Sequence, residues 1–446
     1  MTRVLLVAPP FYRLMGSHYN GIHLGIAYIA AVLEQHGHAV GVYNADYANT
    51  DQYLNQTQLF GNTLSYHEIL NDLAHPIWDE IRNTIAGFNP DMVGIGMMTP
   101  NFKAARNIAG IVKTIDTGIK TVVGGAHATL DPADTADAAE FDCVVRGEGE
   151  FATLELADGK PERSIKGLSF KKNGETIHND DRPFIKNLDE LPFPARDLFI
   201  NDTEFLDPGN ISTGRGCSFA CSYCASPRLW HRAARFRSVE NVMSELEYLA
   251  KHYPGTLVRF VDDTFSLNKR RALAICRRII ESNTGIKWVC DTRVDCLDDE
   301  LLSLMKEAGC VRIKIGVESG SDRILKRINK GVTTDDMRRA VHLIKQHAIP
   351  LTIYLMAGFP GETNDDLRQT IAFAKELAPD YVSLSVLAPY YGTQIWHDME
   401  KQGKTFDKEH WEYFYHQSQD MIINNNLDPS ILQEFFALDQ NGRGRV

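Results

Sequence analysis

Three cysteines, Cys217, Cys221 and Cys224, lie within eight residues in the stretch STGRGCSFACSYCASPR (212–228). The chain has 8 cysteines in 446 residues, so this cluster poses the question of what three thiols without an adjacent fourth can do. Their i, i+4, i+7 spacing would suit one face of a helix carrying small core residues. Gly214-Arg215-Gly216 immediately before them signals a loop instead, and Ser218 and Ser222 would be poor core neighbours. A structural zinc site closes with four ligands, but Cys276, Cys290, Cys296 and Cys310 form no second pair and, with Cys143, read as buried small residues. Three thiolates suit a cubane of four irons and four sulfides. Its fourth iron is then open to another ligand, by the logic that leaves catalytic zinc an open position.

The segments around the cluster must place it. From about 208, six apolar runs recur: NISTG, TLVRFVDD, KWVCDTR, VRIKIGVES, LTIYLMAGFP and YVSLSVLAP. Amphipathic helical stretches such as SVENVMSELEYLAKHY separate them. Successive strand-helix units of this kind predict a partial (β/α)6 barrel over 208–390, with its chemistry on the loops after each strand. Residues 1–155 show the same alternation, in RVLLVAP, AVGVYNA, DMVGIGMM, KTVVGGA and FDCVVRG. Such continuous apolar runs are typical of strands buried on both faces of a parallel sheet. They predict a flavodoxin-like, Rossmann-type domain that binds ligands at the carboxyl ends of its strands. Residues 156–207 carry a hairpin signal at Asn173-Gly174 and two prolines in LPFP, and read as a connector. Residues 391–446 read as a C-terminal helical region ending in a mobile tail, DQNGRGRV.

Bulk properties exclude other classes. A hydrophobic content of 43% and a charged content of 24% are those of a soluble globular protein. The net charge of −11, with no basic run, argues against nucleic acid as a partner. The start lacks a secretory signal, the most apolar window is too short to span a bilayer, and the uneven cysteines suit a reducing cytoplasm. His18, His23, His36 and His38 match no metal-site spacing and are expected at the surface.

The spacing C-x-x-x-C-x-x-C, with Tyr223 just before the last cysteine, resembles the radical S-adenosylmethionine (radical SAM) superfamily. In that family S-adenosylmethionine chelates the open iron of a [4Fe-4S] cluster. Its reductive cleavage gives methionine and a 5′-deoxyadenosyl radical. The resemblance implies roles for the strand ends. Asp262 or Asp263 would meet the substrate ammonium, and Arg293 the methionine carboxylate. Glu318 would meet the ribose, with Gly316 allowing close approach, while Gly358 and Gly361 would lie near the adenine.

A flavodoxin-like domain ahead of such a barrel resembles the family's cobalamin-binding branch, which includes class B radical methyltransferases and the anaerobic magnesium-protoporphyrin monomethyl ester cyclase. VLLVAPP, LGIAYIAAVLEQHGH, GGAHAT and RGEGE carry this likeness, which with the barrel covers about 1–390. Thr99, Asn101, Gly124, Gly125, His127, Gly147 and Glu148 are the implied cobalamin contacts. The chain lacks the D-x-H-x-x-G motif that supplies a lower axial histidine in many cobalamin proteins. The resemblance thus implies three cofactors: a 4Fe-4S cluster, S-adenosylmethionine and cobalamin. The implied activity is methylation of an unactivated carbon of a small molecule, with electrons from a low-potential donor such as flavodoxin or ferredoxin. A cyclase, rearrangement or oxidation enzyme without methyl transfer, and a non-catalytic cobalamin-binding sensor, remain as alternatives.

Overall fold

The structure, a computed structural model, describes residues 1–202, 204–416, 418, 424 and 426–439. Residues 440–446 of the expected mobile tail lie outside the described residues. The chain divides into two units. One comprises Met1–Tyr53, Asn62–Asp207 and Phe406–Phe414; the other holds Leu54–Gly61, Pro208–Thr405 and the described residues from Tyr415 onward.

The first unit is built on a seven-stranded sheet. Strands β1 (Arg3–Ala8), β2 (Ala39–Asn44), β3 (Met92–Gly96), β4 (Lys120–Gly124) and β5 (Cys143–Val145) are parallel, in the order 2-1-3-4-5. That is the order of flavodoxin-like sheets, whose ligands lie beyond the carboxyl ends of the strands. Val4, Leu6, Val42, Met92, Val122 and Cys143 form its core with the helix Leu24–Gln35. The Asn173-Gly174 hairpin is present, and its strands β6 (Leu168–Lys172) and β7 (Glu175–His178) extend this same sheet antiparallel from β5. Farther along the expected connector, the Ile200 amide donates to Val42 O at 2.9 Å and the Ala195 amide to Ala27 O at 3.1 Å. The stretch after 156 is therefore laid on the first sheet.

The histidines near the start divide. His36 is exposed, but His18 is only 2% exposed and stacks on Tyr53 with ring centroids 4.0 Å apart. Its aromatic neighbour makes burial favourable, which composition alone does not reveal.

The second unit has a six-stranded, all-parallel sheet of β8 (Asn210–Ile211), β11 (Leu257–Phe260), β12 (Lys287–Thr292), β13 (Cys310–Glu318), β14 (Leu351–Ala357) and β15 (Tyr381–Val386). Between β8 and β11 a two-stranded ribbon, β9 (Gly214–Arg215) with β10 (Arg235–Phe236), brackets the cysteine segment. Ile211, Val258, Phe260, Trp288, Cys290, Ile313, Ile315, Ile353 and Leu355 form one core with helical residues such as Leu246, Ile275, Met337 and Leu367. These are alternate strand positions, so the intervening residues share the opposite, inner face of the partial barrel.

The segment 406–414 returns to the first unit. Trp411 is fully buried, its indole N–H donates to Asp134 at 2.7 Å, and Lys408 pairs with Asp131 at 2.7 Å. Trp411→Ala is expected to destabilise the first unit by about 3–5 kcal/mol, the usual cost of truncating a buried tryptophan. Urea unfolding followed by circular dichroism measures this; a loss under about 1 kcal/mol would mean the segment merely rests on the surface.

Candidate active site

A buried polar network fixes the loop that leads into the cysteines. Asp262, just past β11, accepts from the Thr213 amide at 3.1 Å and the Thr213 hydroxyl at 3.0 Å. Arg271 donates to the Thr213 hydroxyl at 3.1 Å and carbonyl at 2.6 Å, and to the Arg237 carbonyl at 2.9 Å. Arg237 in turn donates to Ser212 O at 2.9 Å and pairs with Glu245, which is fully buried. Burial pushes the Asp262 carboxyl up to about 6, against the opposing pull of Arg271 and the Thr213 hydrogen bonds. Asp262 therefore holds the loop, while exposed Asp263 beside it accepts from the Ser226 hydroxyl at 2.7 Å. Of the two carboxylates, Asp263 is the one free to face a ligand.

Gly216 is needed at the entry to the loop. Its φ is +93°, and a Cβ there would lie 2.1 Å from Ala233 O. The three cysteines follow in irregular chain. Cys217 is buried, and Cys221 and Cys224 are half-buried. The loop is tied down by its backbone, Ser222 N donating to Ile328 O at 2.9 Å and Ile395 N to Ser222 O at 2.9 Å. Burial raises the Cys224 thiol to about 12, helped by the charges of Asp263 and the other two cysteine sulfurs. Bound iron reverses that logic, because a coordinated thiol is deprotonated by the cation. Among the described residues no three His, Cys, Asp or Glu side chains converge on a single ion.

The other strand ends supply the surroundings. Arg293, after β12, lies 3.6 Å from the Cys221 sulfur and stacks 3.6 Å over the Phe219 ring. Its guanidinium also holds Asp295 bidentately at 2.9 Å and donates to Lys330 O at 2.7 Å. Glu318 closes β13 at φ +65°, after a register shift between Gly316 and Glu318. This bend folds the carboxylate back over Gly316, where a Cβ would come within 2.2 Å of it. Buried Lys330 donates to Glu318 at 2.9 Å and reaches the Tyr223 hydroxyl at 3.4 Å. Burial, and next the Glu318 charge, push the Tyr223 phenol well up. Gly358, at φ +93°, gives its amide to Glu362 at 2.7 Å, a second buried carboxylate whose pKa burial raises to about 7.

Sequence reasoning missed Lys330 because INKG (328–331) follows a helix rather than a strand. It missed Arg271 and Thr213 because nothing in their spacing marks a shared network.

In the first unit the expected cobalamin residues take up different roles. The Thr99–Asn101 turn after β3, Gly124 at the end of β4 and Gly147 after β5 all lie at the carboxyl ends of parallel strands. Gly147, at φ +73°, has open space where a Cβ would stand, the kind of opening a large cofactor needs to reach backbone. A Cβ on Gly125 would lie 2.3 Å from Met97 O, so that glycine serves the close approach of two loops. Asn101 caps its own turn by accepting from the Met98 amide at 2.7 Å. His127 is fully buried, 3.2 Å from the Thr99 hydroxyl and edge-on to Trp411, so its ring is turned inward. Glu148 is likewise buried and accepts from the Ile185 amide at 2.7 Å.

Comparison with known proteins places this arrangement. Residues 211–374 match the radical SAM superfamily and residues 16–157 the B12 binding domain. An uncharacterized methyltransferase of Pyrococcus horikoshii is 35% identical over 88% of this chain and 82% of its own length. The chain belongs to the radical SAM superfamily, in its B12-binding branch. An anaerobic magnesium-protoporphyrin IX monomethyl ester cyclase of Rubrivivax gelatinosus is 27% identical over 77% of this chain, which spans 64% of that relative. The radical SAM methyltransferase TsrM of Kitasatospora setae, solved with cobalamin and a [4Fe-4S] cluster bound, shares the fold. Its TM-score is 0.71 at 18% identity, covering 90% of this chain and 78% of that one. Its cofactors are those of the two matched domains: a 4Fe-4S cluster and S-adenosylmethionine for the radical SAM domain, and cobalamin for the B12 domain.

Gly316→Ala is expected to keep the iron content of the radical SAM enzyme while weakening S-adenosylmethionine binding at least tenfold, because the new methyl displaces Glu318 and Lys330. Iron assay with equilibrium binding checks this; undiminished binding would remove Glu318 from the site.

Proposed function

We propose that this radical SAM enzyme methylates an unactivated carbon of a small molecule, with cobalamin as the second cofactor. The observation that carries the reading is the three-cysteine loop, with Arg293 against the Cys221 sulfur and the Glu318–Lys330 pair against Tyr223. The cluster with S-adenosylmethionine would supply radical chemistry, and cobalamin would supply methyl transfer.

The chain's own residues do the rest. Cys217, Cys221 and Cys224 hold three irons, and the Arg293 cation lies against one of those sulfurs, where it offsets thiolate charge. Glu318, held in place by Lys330, offers its carboxylate to ribose hydroxyls. Asp263 accepts from the methionine ammonium, and the Gly358 turn, fixed by Glu362, provides backbone beside the adenine. In the first unit, Gly147 and the turns at Thr99–Asn101 and Gly124–Gly125 would hold the corrin. The reading includes a flavodoxin- or ferredoxin-type donor and a reducing cytoplasm. Among the described residues no helix is long and apolar enough to cross a membrane.

The test uses protein purified without oxygen and reconstituted with iron, sulfide and hydroxocobalamin. Expected are about one corrin per chain, 5′-deoxyadenosine under dithionite, loss of that product in Cys217→Ala, and substrate gaining the mass of a methyl group. Turnover without added methyl mass would favour a cyclase, rearrangement or oxidation. Corrin retention without deoxyadenosine would leave a cobalamin sensor, and deoxyadenosine without corrin would remove methyl transfer.

A further inference from the structure

The inner face of the second unit's sheet carries charge that neither the cluster nor its surroundings use. With Trp288 and Cys290 of β12, Ile313 and Ile315 of β13, and Ile353 and Leu355 of β14 in the core, Asp291, Arg312, Lys314, Thr352 and Tyr354 share the opposite face. Arg259 of β11 and Tyr381 of β15 join them by the same alternation. Contacts agree with that placement. The Tyr354 hydroxyl donates to Asp291 at 2.7 Å, and the Arg312 guanidinium stacks 3.8 Å over the Tyr381 ring.

On this face the cations Arg312 and Lys314 thus lie near the carboxylate of Asp291. Arg312 is only 7% exposed, yet its buried Nη1 has no hydrogen-bond partner among the described residues. Buried Thr352 Oγ1 is equally unpartnered there. Lys314, whose backbone pairs with that of Asp291 and Thr352, makes no hydrogen bond or close ion pair through its ammonium among the described residues. Burial pushes the Lys314 ammonium below its ordinary pKa, and Arg259 and Arg312 push it the same way against Asp291. A buried donor without a partner is costly, and an anion on this face would satisfy Arg312 Nη1 and Thr352 Oγ1 and offset the charge of half-buried Lys314.

We propose that the inner face of the barrel binds an anionic group of the substrate, a carboxylate or a phosphoryl group, through Lys314 and Arg312, with Thr352 and Tyr354 as polar contacts. The inference rests on the reading of this barrel as the radical-generating site. Lys314 lies four residues before Glu318 on β13, roughly 13 Å along a strand. The anion is thus held well below the cluster loop, and the substrate is an elongated acid whose reacting carbon lies several bonds from its charged end. Arg293 is already engaged with Asp295, and Lys330 with Glu318, so the cations near the cluster do not provide this subsite.

The test is calorimetric titration of the reconstituted holoenzyme, loaded with S-adenosylmethionine, with inorganic phosphate, succinate and putrescine in separate arms. Expected is binding of phosphate or succinate but not of putrescine; whichever anion binds tells phosphoryl from carboxylate. Lys314→Met and Arg312→Gln are each expected to weaken that anion at least tenfold, and Asp291→Asn to tighten it, with iron and corrin content confirming folded, loaded protein. Putrescine binding as well as either anion, or anion affinity unchanged in both cation variants, would overturn the proposal. Deoxyadenosine formation by the wild type is measured alongside. Its absence with anion binding intact would sink the radical reading alone, and its presence without anion binding would sink the anion subsite alone.

Discussion

The site depends on one buried carboxylate. Asp262 holds the backbone and hydroxyl of Thr213, and Arg271 holds the same residue from the other side. Between them they set where β8 ends and where Gly216 turns the chain toward Cys217. A buried ionised group is tolerated only when its partners satisfy it, and here the partners are the loop itself. The network spans β8, β11 and two helices, so the cysteine loop is carried by rigid elements although it has no regular structure of its own.

A second constraint is the bend at Glu318. A non-glycine residue at positive φ costs free energy that the surroundings must offset. The offset comes from the Lys330 ammonium and from a glycine two residues earlier that leaves room for the carboxylate. The arrangement gives up regular strand geometry to aim one acid at the mouth of the barrel, and strain of this kind is found where function demands an orientation.

Much of this was legible in the sequence, for definite reasons. Both sheets follow from short apolar runs between amphipathic helices, and the first sheet's strands are nearly continuous in hydrophobicity because both their faces are covered. The cysteine loop was legible because its spacing sits beside glycines and just past a strand. Partnership was not. Asp262 and Asp263 are adjacent and chemically identical, and only the position of Thr213 decides which of them is tied up. GGAHAT leaves open whether His127 touches cobalamin or caps a turn, whereas Trp411, nearly three hundred residues later, packs edge-on against it. The polar inner face was hidden for a different reason: in VRIKIGVES and KWVCDTR the charged residues fall on one set of alternate positions, which reads as ordinary strand alternation until the sheet's curvature makes that face an interior.

The return of residues 406–414 to the first unit also bears on how the protein is made. Translation delivers Met1–Asp207 long before Trp411, so the first sheet leaves the ribosome with the pocket around His127 unfilled. The unit that comes first in the chain is thus completed only when nearly all of the chain has been made. Until then Phe102 and His127 are exposed to whatever folding factors or neighbours the nascent chain meets.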